Sequence, residues 1–213
     1  MEFFEVVASL VARFGDKQPK GGVIYKTPVT LVDGVLYIDS YGNGCTHNSK
    51  FNPYRQELMD KKRWNRPMPF PADLNVIFKA LVAGGFDRIV LGHKSEFVPW
   101  MDCKYGIAKS ILRLVKRLAP TATITINTSS DLIGHVDYIA ELPKQTRVNM
   151  RINLSPKLEV APKEEQDQYV RSNEPGAPSL LRRSNALERL DQAGIKACRV
   201  SIKFYAKPIK KIA

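Results

Sequence analysis

The sequence predicts an α/β fold, a mostly parallel sheet with helices outside it. Three observations carry that expectation. Short apolar or alternating runs give way in turn to amphipathic stretches, and a turn or cap residue stands at most switches. The cycle recurs about five times, as serial βα units do. Hydrophobic residues make up 44% and charged ones 25% of 213 positions, the balance of an ordinary globular domain large enough to bury a core. Right-handed crossovers leave two layouts, an open doubly wound sheet or a partial barrel.

The elements follow in order. Val35-Leu-Tyr-Ile-Asp39 is a short apolar run behind the turn signal Asp33-Gly34. Asp73 begins a helix through Leu81, with Leu74, Ile77, Phe78 and Leu81 on one face, and Gly84-Gly85 stops it. Arg88-Ile-Val-Leu-Gly92 is continuously apolar, the pattern of a parallel strand covered on both faces. Ile107 to Leu118 is the next helix: Ile111, Leu112, Val115 and Leu118 point inward, Lys109, Arg113, Lys116 and Arg117 outward, and Pro120 ends it. Thr123-Ile-Thr-Ile-Asn127 reads as a strand, and Ser130-Asp131 caps a helix running to about Leu142. Val148 to Leu154 alternates with period two. Pro178-Ser179 opens a helix through Leu190 with Leu180, Leu187 and Leu190 inward, closed by Ala193-Gly194. Ala197 to Ile202 is the last strand, in which Cys198 is most simply a core residue.

Two stretches stand outside the cycle of a chain read as one domain, 1–213. Residues 42–71 lack periodicity and are too long for an idle connection, so they are expected to be functional. Residues 156–178 are irregular and polar and read as a mobile loop. The tail 203–213 carries Lys203, Lys207, Lys210 and Lys211 with no acid.

Charge narrows the partner. Lys and Arg number 33 against 21 Asp and Glu, a formal net charge of +12, which points to a polyanion and first of all to nucleic acid. An acidic protein partner is the second class, and a solubility role for the excess lysine the third. The cluster Lys50, Arg55, Lys61, Lys62, Arg63 and Arg66 is interleaved with Phe51, Tyr54 and Trp64. Cations for phosphates beside aromatic faces for bases is how single strands are held. The competing reading is a solvated loop whose aromatics pack back on the body. No helix-turn-helix, zinc-finger or phosphate-loop signature occurs. No run of eighteen apolar residues exists, so no membrane span is expected. Met1-Glu-Phe-Phe-Glu5 places acid where a signal peptide carries base, so a cytoplasmic location is expected, or one within a virion or ribonucleoprotein particle. Cys45, Cys103 and Cys198 are odd in number and far apart, which excludes a disulfide framework.

The segment Tyr41-Gly-Asn-Gly-Cys-Thr-His-Asn-Ser-Lys-Phe-Asn-Pro-Tyr54, just after the first parallel strand, resembles the cluster loop of radical S-adenosylmethionine enzymes, in particular the spore photoproduct lyase-like branch. Later segments keep the same order. Leu91-Gly-His-Lys-Ser-Glu96 with Trp100-Met-Asp102 resembles the motif after the second strand, and Asn127 to Ile133 the segment after the third. Glu174-Pro-Gly-Ala-Pro-Ser179, Arg183 and Leu190-Asp-Gln-Ala-Gly-Ile195 resemble the run before the fifth. The resemblance covers roughly residues 35 to 202 and implies a partial (βα) barrel, here truncated at about five strands. It also implies that Glu96 holds the amino group of an adenosyl ligand, with Ser95, Asn127, Asn153 and Arg151 around its ribose and carboxylate. His93 falls where the branch places a hydrogen-donating cysteine; a histidine there is a candidate base or phosphate contact instead.

The departure from the family is chemical. Three cysteine thiolates hold a [4Fe–4S] cluster in these enzymes; the matching positions here are Cys45, Ser49 and Asn52. A hydroxyl and an amide are poor substitutes for soft anionic thiolates. The expectation is a scaffold without the cluster, non-catalytic, with no cofactor required and residual binding of S-adenosylmethionine or a nucleotide at the rim. Two alternatives remain: a DNA-lyase-like enzyme with unusual metal ligation, and a structural component of a virion or ribonucleoprotein. For the metal, Cys45, His47 and Cys103 are the candidates, with Asp102 or water completing a tetrahedral set. The opposing reading makes Cys45 a remnant, His47 a solvated loop residue and Cys103 a small buried apolar one.

Overall fold

The computed structural model describes residues 26–42, 47, 70–154 and 156–200. Cys45, Ser49, Asn52, the aromatic-basic cluster from Lys50 to Arg66 and the lysine tail lie outside them.

A two-residue turn starts the fold. Asp33 and Gly34 both take positive φ, 49° and 72°, as a hairpin turn that follows strand twist requires. They join β1 (Val29–Val32) antiparallel to β2 (Val35–Ile38). From β2 on, every further strand of this sheet is parallel: β5 (Arg88–Leu91), β6 (Thr123–Thr128), β7 (Thr146–Arg151) and β8 (Lys196–Val200), in the order β1-β2-β5-β6-β7-β8. A separate two-stranded ladder pairs β3 (Tyr41–Gly42) with β4 (Phe70–Pro71), so the two ends of the segment between them are clamped together beyond the end of β2.

The strand order decides between the two layouts. Parallel neighbours are added in one direction only, and right-handed crossovers then put all the connecting helices on the same side. That is the singly wound arrangement of a partial barrel, with the sheet left open. The helices are α1 (Leu74–Ala83), α2 (Asp102–Tyr105), α3 (Ile107–Leu118), α4 (Val136–Ile139), α5 (Pro156–Glu159), α6 (Lys163–Asn173) and α7 (Leu180–Gln192). The core forms between them and one sheet face: Leu36, Ile38, Ile89, Leu91, Ile124, Ile126, Val148 and Met150 meet Ile77, Leu81, Ile111, Leu112, Val115 and Leu190.

The other face corrects two expectations. β5 is not apolar cover on both sides, because Val90, which alternates away from the core, is only half-buried and its row continues as Tyr37, Thr125, Arg147 and Lys196. Cys198 also lies on this second face rather than in the core. Its Sγ donates to Asn149 Oδ1 at 3.3 Å and accepts from Arg147 Nη2 at 3.5 Å.

Local signals set the caps. Asp73 Oδ1 accepts from Asn75 N at 3.0 Å, Ser130 Oγ from Leu132 N at 3.3 Å and Ser179 Oγ from Arg182 N at 3.4 Å. The helix expected from Ser130 to Leu142 is instead broken into a 3₁₀ turn, Asp131–Gly134, and α4, with His135 extended and exposed between them. The cause is close packing. A Cβ on Gly134 would stand 2.7 Å from the Cα of Ala186 in α7, so the chain must be bare here to let α7 approach. Residues 156–178, expected as a loop, are largely helical. Their apolar signal is thin because only Val170 of α6 is buried. The basic row of α3 faces outward as expected but is answered by α4 and the residues after it: Lys109 pairs with Asp137 at 3.0 Å, Arg113 with Glu141 at 2.7 Å, and Lys116 donates to Ala140 O at 2.9 Å.

A buried carboxylate cluster at the candidate functional site

The candidate site lies at the C-terminal edge of the parallel strands, where open α/β sheets and βα barrels gather their functional groups. Gly92 makes it possible. Its φ is +77°, and a Cβ there would come within 2.4 Å of Asn127 O and 2.8 Å of the Phe97 Cβ. Only glycine lets the chain turn so sharply over the end of β5, and the turn folds His93 to Glu96 back across the strand ends.

Glu96 is the centre. It is buried, and every acceptor direction of its carboxylate is used. Oε1 accepts from the Val98 N–H at 3.3 Å and from the Thr128 hydroxyl; Oε2 accepts from the Ser129 N–H at 2.8 Å and from Arg151 Nη2 at 3.3 Å. His47 Nδ1 stands 3.2 Å from Oε2 at an ion-pair distance, but its angles are not those of a hydrogen bond, so we treat the contact as electrostatic. An ionised carboxylate offers about four lone-pair sites, and here all are taken. Burial alone would raise the pKa of Glu96. The facing His47 imidazole, the Arg151 guanidinium and the Thr128 hydroxyl outweigh it and hold the group at about 2.

Arg151 ties three strand ends together: the same Nη2 also reaches Asn127 O at 3.2 Å and Ser95 O at 3.5 Å. Its Nε is buried and, among the described residues, has no hydrogen-bond partner. His47 is held from the other side, because its carbonyl accepts the Gly176 N–H at 3.3 Å. That contact joins the segment after β3 to the turn before α7, where Arg183 is fully buried. Arg183 donates to Glu174 Oε2 at 2.8 Å, Arg151 O at 2.9 Å and Pro178 O at 3.0 Å. Asn153 Nδ2 donates to the other Glu174 oxygen at 3.1 Å.

A second buried carboxylate sits at the end of β2. Asp39 Oδ1 accepts from Lys94 N at 3.0 Å, Ser95 N at 3.2 Å and Ser95 Oγ at 3.4 Å. Burial pushes its pKa up to about 6 against the pull of those N–H groups. Ser95 Oγ also donates to Tyr41 O at 2.6 Å. The third is Asp102, whose pKa is also raised by burial. It accepts from the Tyr41 and Tyr138 hydroxyls, both at 2.6 Å, and from Ala108 N at 2.8 Å, which satisfies the start of α3.

The structure therefore brings Ser95, Glu96, Asn127 and Arg151 together and adds His47. It places Asn153 in the adjoining Glu174–Arg183 network. Asn127 Oδ1 accepts from Asn149 Nδ2 at 3.1 Å, and His93 stacks against Tyr37 with ring centroids 4.4 Å apart. Asp39, Thr128 and the contact between Glu174 and Asn153 were not singled out from the sequence; apart from Glu174-Pro175, whose motif resemblance stood out, no local pattern marks them. For a metal, the described candidates do not converge. His47 is buried against Glu96 rather than solvated, both Asp102 oxygens are engaged, and Cys103 is exposed rather than a buried apolar residue. Among the described residues no group of three or more His, Cys, Asp or Glu is arranged to hold a metal ion, and no helix is long and apolar enough to cross a membrane.

No family profile and no curated protein matches the chain. Among solved structures it is similar to one described as native anSMEcpe with bound AdoMet, at 14% identity and a TM-score of 0.49, covering 78% of this chain and 43% of that one. It is also similar to a radical SAM methyltransferase from Sphaerobacter thermophilus, at 12% identity and a TM-score of 0.35, covering 81% of this chain and 68% of that one. The chain spans less than half the length of the first, and both likenesses are loose.

Proposed function

We propose that this chain is a radical-SAM-like scaffold of the spore photoproduct lyase-like branch that carries no [4Fe–4S] cluster, performs no radical chemistry and binds nucleic acid. The observation that carries the reading is the occupancy of Glu96. The group that the resemblance assigns to the amino end of an adenosyl ligand is already filled by Thr128, Ser129, Val98, Arg151 and His47. A ligand ammonium would have to displace one of them, at the cost of a buried, charge-assisted contact. The donor set agrees: one thiolate, Cys45, with Ser49 and Asn52 at the other two positions, does not fit an iron–sulfur cluster. The net charge of +12 supports the partner.

Iron and sulfide analysis of anaerobically purified protein tests the reading. The expected result is no stoichiometric iron and no visible absorption. Ser49→Cys with Asn52→Cys is expected to permit cluster reconstitution if the resemblance is sound. A brown wild-type preparation with about four irons per chain would overturn the proposal.

A further inference from the structure

We propose that a single-stranded nucleic acid lies across the helix-free face of the sheet; this rests on the reading that the chain binds nucleic acid, and names where. Because the strands are wound in one direction, the helices bury only one face. On the other, one register row crosses all five parallel strands as Tyr37, Val90, Thr125, Arg147 and Lys196. At the usual spacing of strands that row is about 19 Å long. A solvated face of a sheet is commonly a mixture of both charges. This row and the next one on the same face, Asn127, Asn149 and Cys198, contain no acid.

The composition is ordered along the row. The half-buried Tyr37 and His93 form a tilted aromatic pair at one end, with centroids 4.4 Å apart. Thr125 supplies a hydroxyl in the middle, and the exposed Arg147 and Lys196 stand side by side at the other end. Aromatic groups on a sheet face with cations beside them are what bases and phosphates of a single strand require. An acidic protein would match the cations but has no use for the aromatic pair, so the strand is the better fit. The contrast with α3 strengthens the choice: its outward cations Lys109 and Arg113 face Asp137 and Glu141, whereas the sheet row has no acid built into it.

The test is fluorescence anisotropy of the full chain with a labelled mixed-sequence single-stranded DNA and the matching duplex, across a salt series. Arg147→Glu with Lys196→Glu changes two exposed positions, and circular dichroism checks the fold. The pair is expected to weaken single-strand binding at least tenfold and to lower the salt slope by roughly 1.4, two phosphate contacts at about 0.7 each. Tyr37→Leu is expected to weaken the single strand more than the duplex. Lys61→Glu, Lys62→Glu and Arg63→Glu together form the control. Wild-type binding that responds to this triple change but not to the sheet pair overturns the sheet-face site and leaves the proposed function standing. Equal loss for strand and duplex in Tyr37→Leu overturns the stacking role. No binding of either DNA by the wild type at low salt overturns both readings, and an acidic protein partner then takes the place of nucleic acid.

Discussion

Asp39 and Glu96 stand at the ends of neighbouring strands, both are buried, and both accept backbone N–H groups, yet their acidities move in opposite directions. Asp39 is raised to about 6 and Glu96 is lowered to about 2. Burial acts the same way on each. What differs is charge within reach: Glu96 faces His47 and Arg151, while Asp39 is met by Ser95 and the backbone, with the Lys94 charge only a lesser influence. Backbone dipoles alone do not offset the loss of water at Asp39, whereas a cation on each side does so at Glu96. The two carboxylates therefore divide the rim into an ion-paired half, which holds the strand ends together, and a half that is destabilised by its own charge.

The comparison is broken most severely by removing the Glu96 charge. Glu96→Gln leaves Arg151 and His47 buried without their counter-charge and is expected to cost about 3–5 kcal/mol, read by urea denaturation at pH 7. A change below about 1 kcal/mol, the range of an exposed pair, would show that the cluster is not ion-paired in solution.

The next effect is on pH dependence. Asp39 binds its proton more tightly folded than unfolded, so its contribution to stability is greatest below its ordinary value of 3.8 and is lost as the pH rises to about 6. The size is about 2–3 kcal/mol from the shift. Glu96 works in the reverse sense: its contribution is present above 4.5 and is lost as the pH falls towards 2. Denaturation midpoints between pH 4 and 6 should thus decline with rising pH in the wild type and lie flat in Asp39→Asn. An unchanged slope in that variant would assign the transition to another group.

The smallest effect separates a hydroxyl from a charge. Ser95→Ala removes the donor to Tyr41 O and one contact to Asp39 while leaving the Ser95 N–H in place. It is expected to cost about 1 kcal/mol and to leave the slope between pH 4 and 6 intact. Loss of the slope would mean that the hydroxyl, rather than burial, sets the Asp39 acidity.

Much of this architecture was legible in the chain, and the illegible parts share a cause. The helix Ile107–Leu118 has the bounds its apolar period dictates, and the parallel strands fall within a residue or two of their apolar runs at most described ends. The caps at Asp73, Ser130 and Ser179 were equally readable, since each depends on groups two or three residues away. β1 escaped notice because Val29–Val32 is short and sits at the sheet edge with Leu31 exposed. α6 escaped because its helix buries almost nothing. At the site, Ser95, Glu96, Asn127 and Arg151 could be picked out from their places at strand ends, but their partners could not. The Glu96 oxygens are filled by Thr128, Ser129 and His47, which come from other strands and another segment.

The sequence by itself determined the order of elements, their caps, the single thiolate where the resemblance asks for three, and the excess of positive charge, because each depends on near neighbours or on simple counting. Only the tertiary structure decided the rest. It made Gly134 a break rather than a helical residue, through the backbone of Ala186. It buried Arg183 on the inward stripe of α7, by supplying Glu174, Pro178 and Arg151 as acceptors. It left one face of the sheet bare of helices, by winding every crossover the same way. It also drove two neighbouring carboxylates apart in acidity, because the cations that separate them lie near in space and far along the chain.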